Sequence, residues 1–199
     1  MKNNINLLTF LTVFLLLVTS FVCRAESLAQ NILSNTGVKG GLIVHLGCGD
    51  GELTTALYAN ERYLVHGLDA QEDNVEKARK YIKSLGLYGK VSVELLTDSI
   101  LPYNDNLVNL LVSENLGKVS MDEVMRVLVP NGVAYIKKNG KWTKTVKPLP
   151  EEIDEWTHSL HSPNNNAVAD DSVVGLPHHL QWVGEPKWAR SHDHLASIS

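Results

Sequence analysis

From Gly41 onward, short apolar runs alternate with segments of helical period. Leu42 to Leu46 is apolar except for His45, which suits a strand covered on both faces. Leu53, Leu57 and Tyr58 mark a short helix after a glycine turn. Tyr63 to Leu68 reads as a second strand ending at Asp69. Asp73 to Leu85 has the best helical period, with Val75, Ala78, Ile82 and Leu85 on one face. Glu76 and Lys80 are spaced for an i,i+4 pair, and Gly86 is a suitable stop. Val91 to Leu96 and Leu107 to Val112 read as strands three and four, either side of the loop LPYNDN.

Ser120 with Glu123 fits a capping box opening a helix whose buried face is Met121, Val124, Met125 and Leu128. Pro130-Asn131-Gly132 is expected to stop it. Val133 to Lys137 reads as a fifth strand, with Asn139-Gly140 able to turn it into a hairpin. This alternation predicts an α/β fold: a mainly parallel sheet with helices on both faces.

The two ends differ from this pattern. Lys2 precedes an almost wholly apolar run from Ile5 to Val22, and Cys23-Arg24-Ala25 sets small residues at a cleavage site. Residues 1–25 therefore read as a secretory signal peptide, with an uncleaved membrane anchor as the alternative. A lipoprotein acylated at Cys23 suits the sequence less well, because Phe21-Val22 is bulky. Cleavage would leave Cys48 alone, with no disulfide framework. Near Lys147 the periodic segments give way to Pro, Asn, His and Trp. A domain is expected over residues 26–147 and an irregular, partly β tail over 148–199. The 199 residues contain no internal repeat, and a net charge of -4 gives no reason to expect a nucleic-acid partner.

The chemistry centres on LIVHLGCGDGEL. Gly47, Gly49 and Gly51 form G-x-G-x-G at the first strand-to-helix turn, where open α/β sheets bind ligands. A dinucleotide fingerprint wants its third glycine where Glu52 stands, and no Gly-Lys-Ser/Thr follows. A carboxylate there would also repel a pyrophosphate. NAD, FAD and ATP are thus disfavoured. Asp69 ends the second strand about 20 residues beyond the turn, the spacing of a ribose-binding acid. The alternative for Asp69 is capping of the next helix. Together these features point to a nucleoside without a pyrophosphate.

Four stretches in order, LIVHLGCGDGELT, LVHGLDAQEDNVEKAR, TDSILPYNDN and MRVLVPNGVAYI, resemble the class I S-adenosylmethionine-dependent methyltransferases. The likeness runs from about Gly37 to Lys144 and implies a Rossmann-like, doubly wound fold with S-adenosylmethionine as cofactor. By position, it implies that Gly47, Cys48, Gly49 and Gly51 surround the methionine and ribose. Asp69 would hold the ribose hydroxyls, with Ala70 beside it. Asp98 would meet the adenine amine, with Ser99 and Ile100 near the ring. The chain departs from the family where His45 replaces the acid two residues before the first glycine, and it has Val108-Asn109 for the usual Phe-Asp. Ser113-Glu114-Asn115 is not the Asn/Asp-Pro-Pro-Tyr motif of enzymes that methylate exocyclic amines. The methyl acceptor is therefore not named by the sequence. Glu114 is the one carboxylate to nominate as a base for a poor nucleophile, against its reading as a solvated loop residue. His45 reads as a buried strand histidine satisfied by its neighbours.

The tail carries a second resemblance. DEWTH, NNNAVADD, LQWVGEPKWAR and the His192-Asp193-His194 triplet resemble the start of a pyrroloquinoline-quinone-enzyme-type β-propeller, as in large exported bacterial proteins. About fifty residues cannot close a propeller, so the likeness implies either a longer chain with a downstream propeller as partner or a tail that packs on the α/β domain. The alternative function is then a non-catalytic methyltransferase-like module serving a quinoprotein-like oxidoreductase or scaffold. His158-x-x-His161 and His192/His194 have spacings seen in metal sites, but without a matching carboxylate or cysteine they read as structural, and no metal is expected.

Overall fold

The computed structural model describes residues 25–154 and, beyond them, 157–159, 161, 163, 164, 166 and 168. The signal-peptide reading, residues 1–25, falls outside those described except for Ala25, as does most of the propeller-like stretch. The chain divides into two units at Leu149/Pro150, and the sheet lies in the first. In the second, His161 bonds the Asp154 carboxylate, and its carbonyl accepts from the Thr157 and His158 amides.

The first unit runs α1 (25–36), β1 (Gly41–Leu46), α2 (Glu52–Ala56), β2 (Tyr63–Asp69), α3 (Glu72–Ser84), β3 (Val91–Leu95), β4 (Val108–Ser113), α4 (Met121–Val127), β5 (Leu128–Lys138) and β6 (Lys141–Val146). The six strands form one sheet in the order β3-β2-β1-β4-β5-β6. The first five are parallel, and β6 returns antiparallel to β5. The order reverses beside β1, whose carboxyl end lies between β2 and β4. In such sheets that reversal opens a crevice at the strand ends.

The central strands are apolar on both faces because each face is covered. One layer packs Ile43, Val65 and Val112 under Ile32 of α1 and Val75, Ala78 and Ile82 of α3. The other packs Val44, Leu68 and Leu111 under Val124 and Val127 of α4 and under Leu101 of the β3–β4 loop. Each fully buried aliphatic side chain contributes about 1.5–3 kcal/mol over its exposed state.

Several expectations need correction. The α3 face stops at Ile82, because Leu85 lies past the helix and is 49% exposed. Helix α4 ends at Val127, three residues before Pro130, because Leu128 turns extended and pairs with Val108. A register shift between Val108 and Leu110 then lets β5 run through Pro130-Asn131-Gly132. Only half of the capping box forms: Ser120 Oγ accepts the Glu123 amide at 3.1 Å, while the Glu123 carboxylate turns to Arg126 and Leu101. The Asn139-Gly140 turn has positive φ at both residues, as the tightest hairpins require, and delivers β6.

The sequence reading left residues 26–40 without an element, yet α1 is there. Leu28, Ala29, Ile32 and Leu33 are spaced for one face, and Gly37 closes the helix with φ 75°. Strand β6 reaches back to cap it: Lys144 Nζ donates to the Asn35 carbonyl at 3.2 Å and the Thr36 carbonyl at 2.8 Å. Lys144→Ala should lower stability by about 1 kcal/mol, the size of a charge-assisted cap at a partly solvated helix end. A thermal melt checks this. Lys144→Arg, which keeps the charge and donors, should restore most of the loss.

Candidate functional site

The turn after β1 is built by its glycines and by Asp69. Gly47 takes φ 79°, and its amide donates to the Leu68 carbonyl at 2.7 Å. A side chain at Gly47 would meet nothing within 4 Å, so the backbone there borders open space. Gly51, at φ 88°, serves packing instead: a Cβ would lie 2.9 Å from Ala78 Cβ on α3. Cys48 is buried against Gly67, and burial, reinforced by Asp69, pushes its thiol up to about 12, so it stays protonated and unreactive.

Asp69 is buried at the end of β2. Its Oδ2 accepts the Gly49 amide at 2.9 Å. Its Oδ1 accepts the Gln71 amide at 2.9 Å and Asn74 Nδ2 at 3.1 Å. A carboxylate offers about four acceptor positions, so among the described residues one remains on Oδ2, and the Asn74 amide can be exchanged for another donor. Asp69 thus ties the glycine turn to α3 while keeping room for a hydroxyl.

These elements wall a cleft of about 640 Å³ at the carboxyl end of the sheet. Leu46, Gly47, Asp69, Ala70, Gln71 and Asn74 form one side. Leu96, Thr97 and Asp98 follow from β3, and Asn115 to Val119 close it from β4. Asp98 is exposed and accepts the Ser99 amide at 2.6 Å. Cys48, Gly49, Gly51 and Ser99, all expected around the ligand, are not among the lining residues. Gly49 acts through its bond to Asp69, and Gly51 through its fit against Ala78. Gln71, Asn74 and the 115–119 turn, including Lys118, were not nominated from sequence. Asn74 had a local signal, lying five residues past Asp69 in DAQEDN. The 115–119 turn had none, because only the sheet order brings it beside β1.

Glu114 sits elsewhere. It is exposed, pairs with Lys137 at 3.1 Å, and faces a groove with Asn31 of α1 and Trp142 of β6. It does not line the cleft, although its neighbour Asn115 does. Among the described residues no group of three or more His, Cys, Asp and Glu side chains is placed to hold a metal.

His45 is buried on β1, with Nδ1 2.8 Å from Thr54 Oγ1 of α2. Burial lowers its pKa from 6.5 to about 4 against the opposing pull of Glu114, Asp69 and Asp50. The unfolded chain therefore binds a proton that the folded chain refuses. The stability His45 contributes is complete above pH 6.5 and is lost as pH falls toward 4, by about 3 kcal/mol in all. Urea unfolding of wild type and His45→Gln between pH 7 and 4.5 checks this; the variant should lose distinctly less.

Solved structures share this architecture. A protein assigned as an S-adenosyl-L-methionine-dependent methyltransferase of Methanococcus maripaludis is 26% identical at a TM-score of 0.51, over 56% of this chain and 53% of that one. A protein of Pyrococcus horikoshii is also 26% identical at 0.51, over 58% and 57%. The cyclase SpnF shares the fold at 23% identity and 0.51, over 56% and 43%. The chain thus spans about half the length of the structures it matches. No curated protein matches it. Residues 43–132, from the middle of β1 through the turn in β5, match the family model of the methyltransferase domain.

Proposed function

We propose that the cleft binds S-adenosylmethionine and that the protein transfers its methyl group to an acceptor. The observation that carries this is Asp69. It is a buried carboxylate at the sheet's switch point that, with the Asn74 amide it accepts from, lines a cleft of about 640 Å³. The residues fit the nucleoside half: Asp69 for the ribose hydroxyls, Asp98 for an exocyclic amine, and Leu46, Leu96 and Val119 for the flat faces of a base. The family match over residues 43–132 supports the same reading.

S-adenosylmethionine supplies an electrophilic methyl group on a sulfonium sulfur. Transfer would break the carbon–sulfur bond as the acceptor's lone pair bonds the methyl carbon, leaving S-adenosylhomocysteine, with the acceptor's proton going to water or a base. The protein's part is alignment. Asp69, held by two backbone amides, would fix the ribose. Gly47, with no side chain in the way, would let the sulfur end lie against the turn. Lys137 holds Glu114 outside the cleft, so Glu114 can act as base only for an acceptor that enters from the groove side.

That placement also favours a second reading. Among the described residues, Asp69 and Asp98 are the carboxylates that line the cleft, and a module that binds the cofactor without using it fits that lining. We propose further that the apolar stretch from Ile5 to Val22 exports the protein and that the tail leads into a propeller. Methyl-labelled S-adenosylmethionine tests the two readings with a panel of small amines, thiols and phenols. Label appearing on an acceptor, with S-adenosylhomocysteine in equal amount, supports the transferase. Bound but unconsumed cofactor across the panel supports the binding module.

A further inference from the structure

The four residues Thr97 to Ile100 carry Asp98 to the cleft, and all four are exposed. Among the described residues, the two bonds within them run from the Ser99 amide and hydroxyl back to the Asp98 carboxylate beside it. Their ends are fixed instead. On one side the Leu96 amide donates to the Asp69 carbonyl at 2.8 Å. On the other the Leu101 amide donates to Glu123 Oε1 at 2.7 Å, with the Leu101 side chain 1% exposed.

Glu123 does not act alone. Arg126, one turn further along α4, donates from Nε to Glu123 Oε2 at 2.8 Å and from Nη2 to Oε1 at 2.7 Å. The rest of its fork grips the loop: the Tyr103 carbonyl at 2.9 Å, the Leu101 carbonyl at 3.2 Å and the Asp105 carboxylate at 2.6 Å. A planar guanidinium can serve these acceptors together, whereas an ammonium has three donors at one point. The same helix begins where the opposite wall of the cleft, Asn115 to Val119, ends, at the Ser120 cap.

We propose that Glu123 and Arg126 are positioning residues for the cleft. They bolt the Asp98 loop to the first turns of α4, set its distance from the 115–119 wall, and hold Asp98 ready for a base. Neither is among the residues that line the cleft. The inference rests on the nucleoside reading of the cleft for its effect on affinity, but its effect on the loop stands without it.

The test compares Arg126→Lys, which keeps the charge and loses the fork, with Lys144→Ala, which weakens the same domain at α1. In the chain of 199 residues without ligand, amide exchange over residues 97–103 should rise about tenfold in Arg126→Lys and stay within about twofold in Lys144→Ala. S-adenosylmethionine affinity should fall about tenfold in the first and stay within about twofold in the second. Unchanged exchange in Arg126→Lys, or equal changes in both variants, overturns the proposal, as does faster exchange with unchanged affinity. If the wild type does not bind S-adenosylmethionine, the cofactor reading falls and the exchange comparison alone decides the clamp.

Discussion

Asp69→Ala is expected to weaken S-adenosylmethionine binding by about 100-fold or more, the largest effect of any single change in the cleft. Two losses combine. The ribose hydroxyls lose their charged acceptor, and the empty site loses the group that shapes it. Without the carboxylate, the amides of Gly49 and Gln71 lack their partner, as does Asn74. Buried donors left unmade cost about 1–3 kcal/mol each, less where the cleft admits water. The fold should therefore lose about 2–3 kcal/mol as well. Asp69→Asn should do little better, because its amide nitrogen would face a backbone N–H that also donates. Titration calorimetry gives the affinity and urea midpoints the stability. A variant that binds like wild type would remove Asp69 from the site.

Gly51→Ala carries the largest expected cost in stability, about 2–5 kcal/mol. The added carbon meets two separate obstacles. At φ 88° an L side chain is strained, by about 1–2 kcal/mol. The same carbon would stand 2.9 Å from Ala78 Cβ and 3.1 Å from Ala78 Cα, where α3 cannot yield without leaving the sheet. A double-mutant cycle separates the two. Ala78→Gly should relieve the overlap and not the strain, so the pair should show about 1–2 kcal/mol of favourable coupling. Zero coupling would mean that the turn simply moves away from α3.

Much of this domain was legible because its strands are short apolar runs bounded by turn residues. Val44, Val65 and Leu111 sit in strands that read as apolar on both sides because both sides are covered. Spacing put Gly47 and Asp69 at the turn, with helix capping as the alternative for Asp69, and the family resemblance pointed to Asp98; all three line the cleft. The misses have physical causes. Helix α1 was passed over because it follows a long apolar segment that drew the reading, although Leu28, Ile32 and Leu33 held the period. The early end of α4 was hidden because Pro130 is the stronger local stop signal, while the pairing of Leu128 with Val108 is a tertiary choice. Glu123 looked like half of a local cap and became the anchor of a loop 22 residues away. Glu114 could be placed at the end of β4 but not on a side of it; the Lys137 pair decides that. Cys48 and Gly51 sit inside a ligand motif, yet Cys48 is buried in the core and Gly51 packs against Ala78 of α3.

The central claim is that the cleft bounded by Gly47, Asp69 and Asp98 is a working nucleoside site for S-adenosylmethionine. The most direct measurement is an isothermal titration of S-adenosylmethionine into the folded chain of 199 residues. The account predicts saturable heat in the micromolar range, with NAD and ATP giving none at the same concentrations. No saturation at millimolar S-adenosylmethionine, from a sample whose melt shows a cooperative fold, would contradict it.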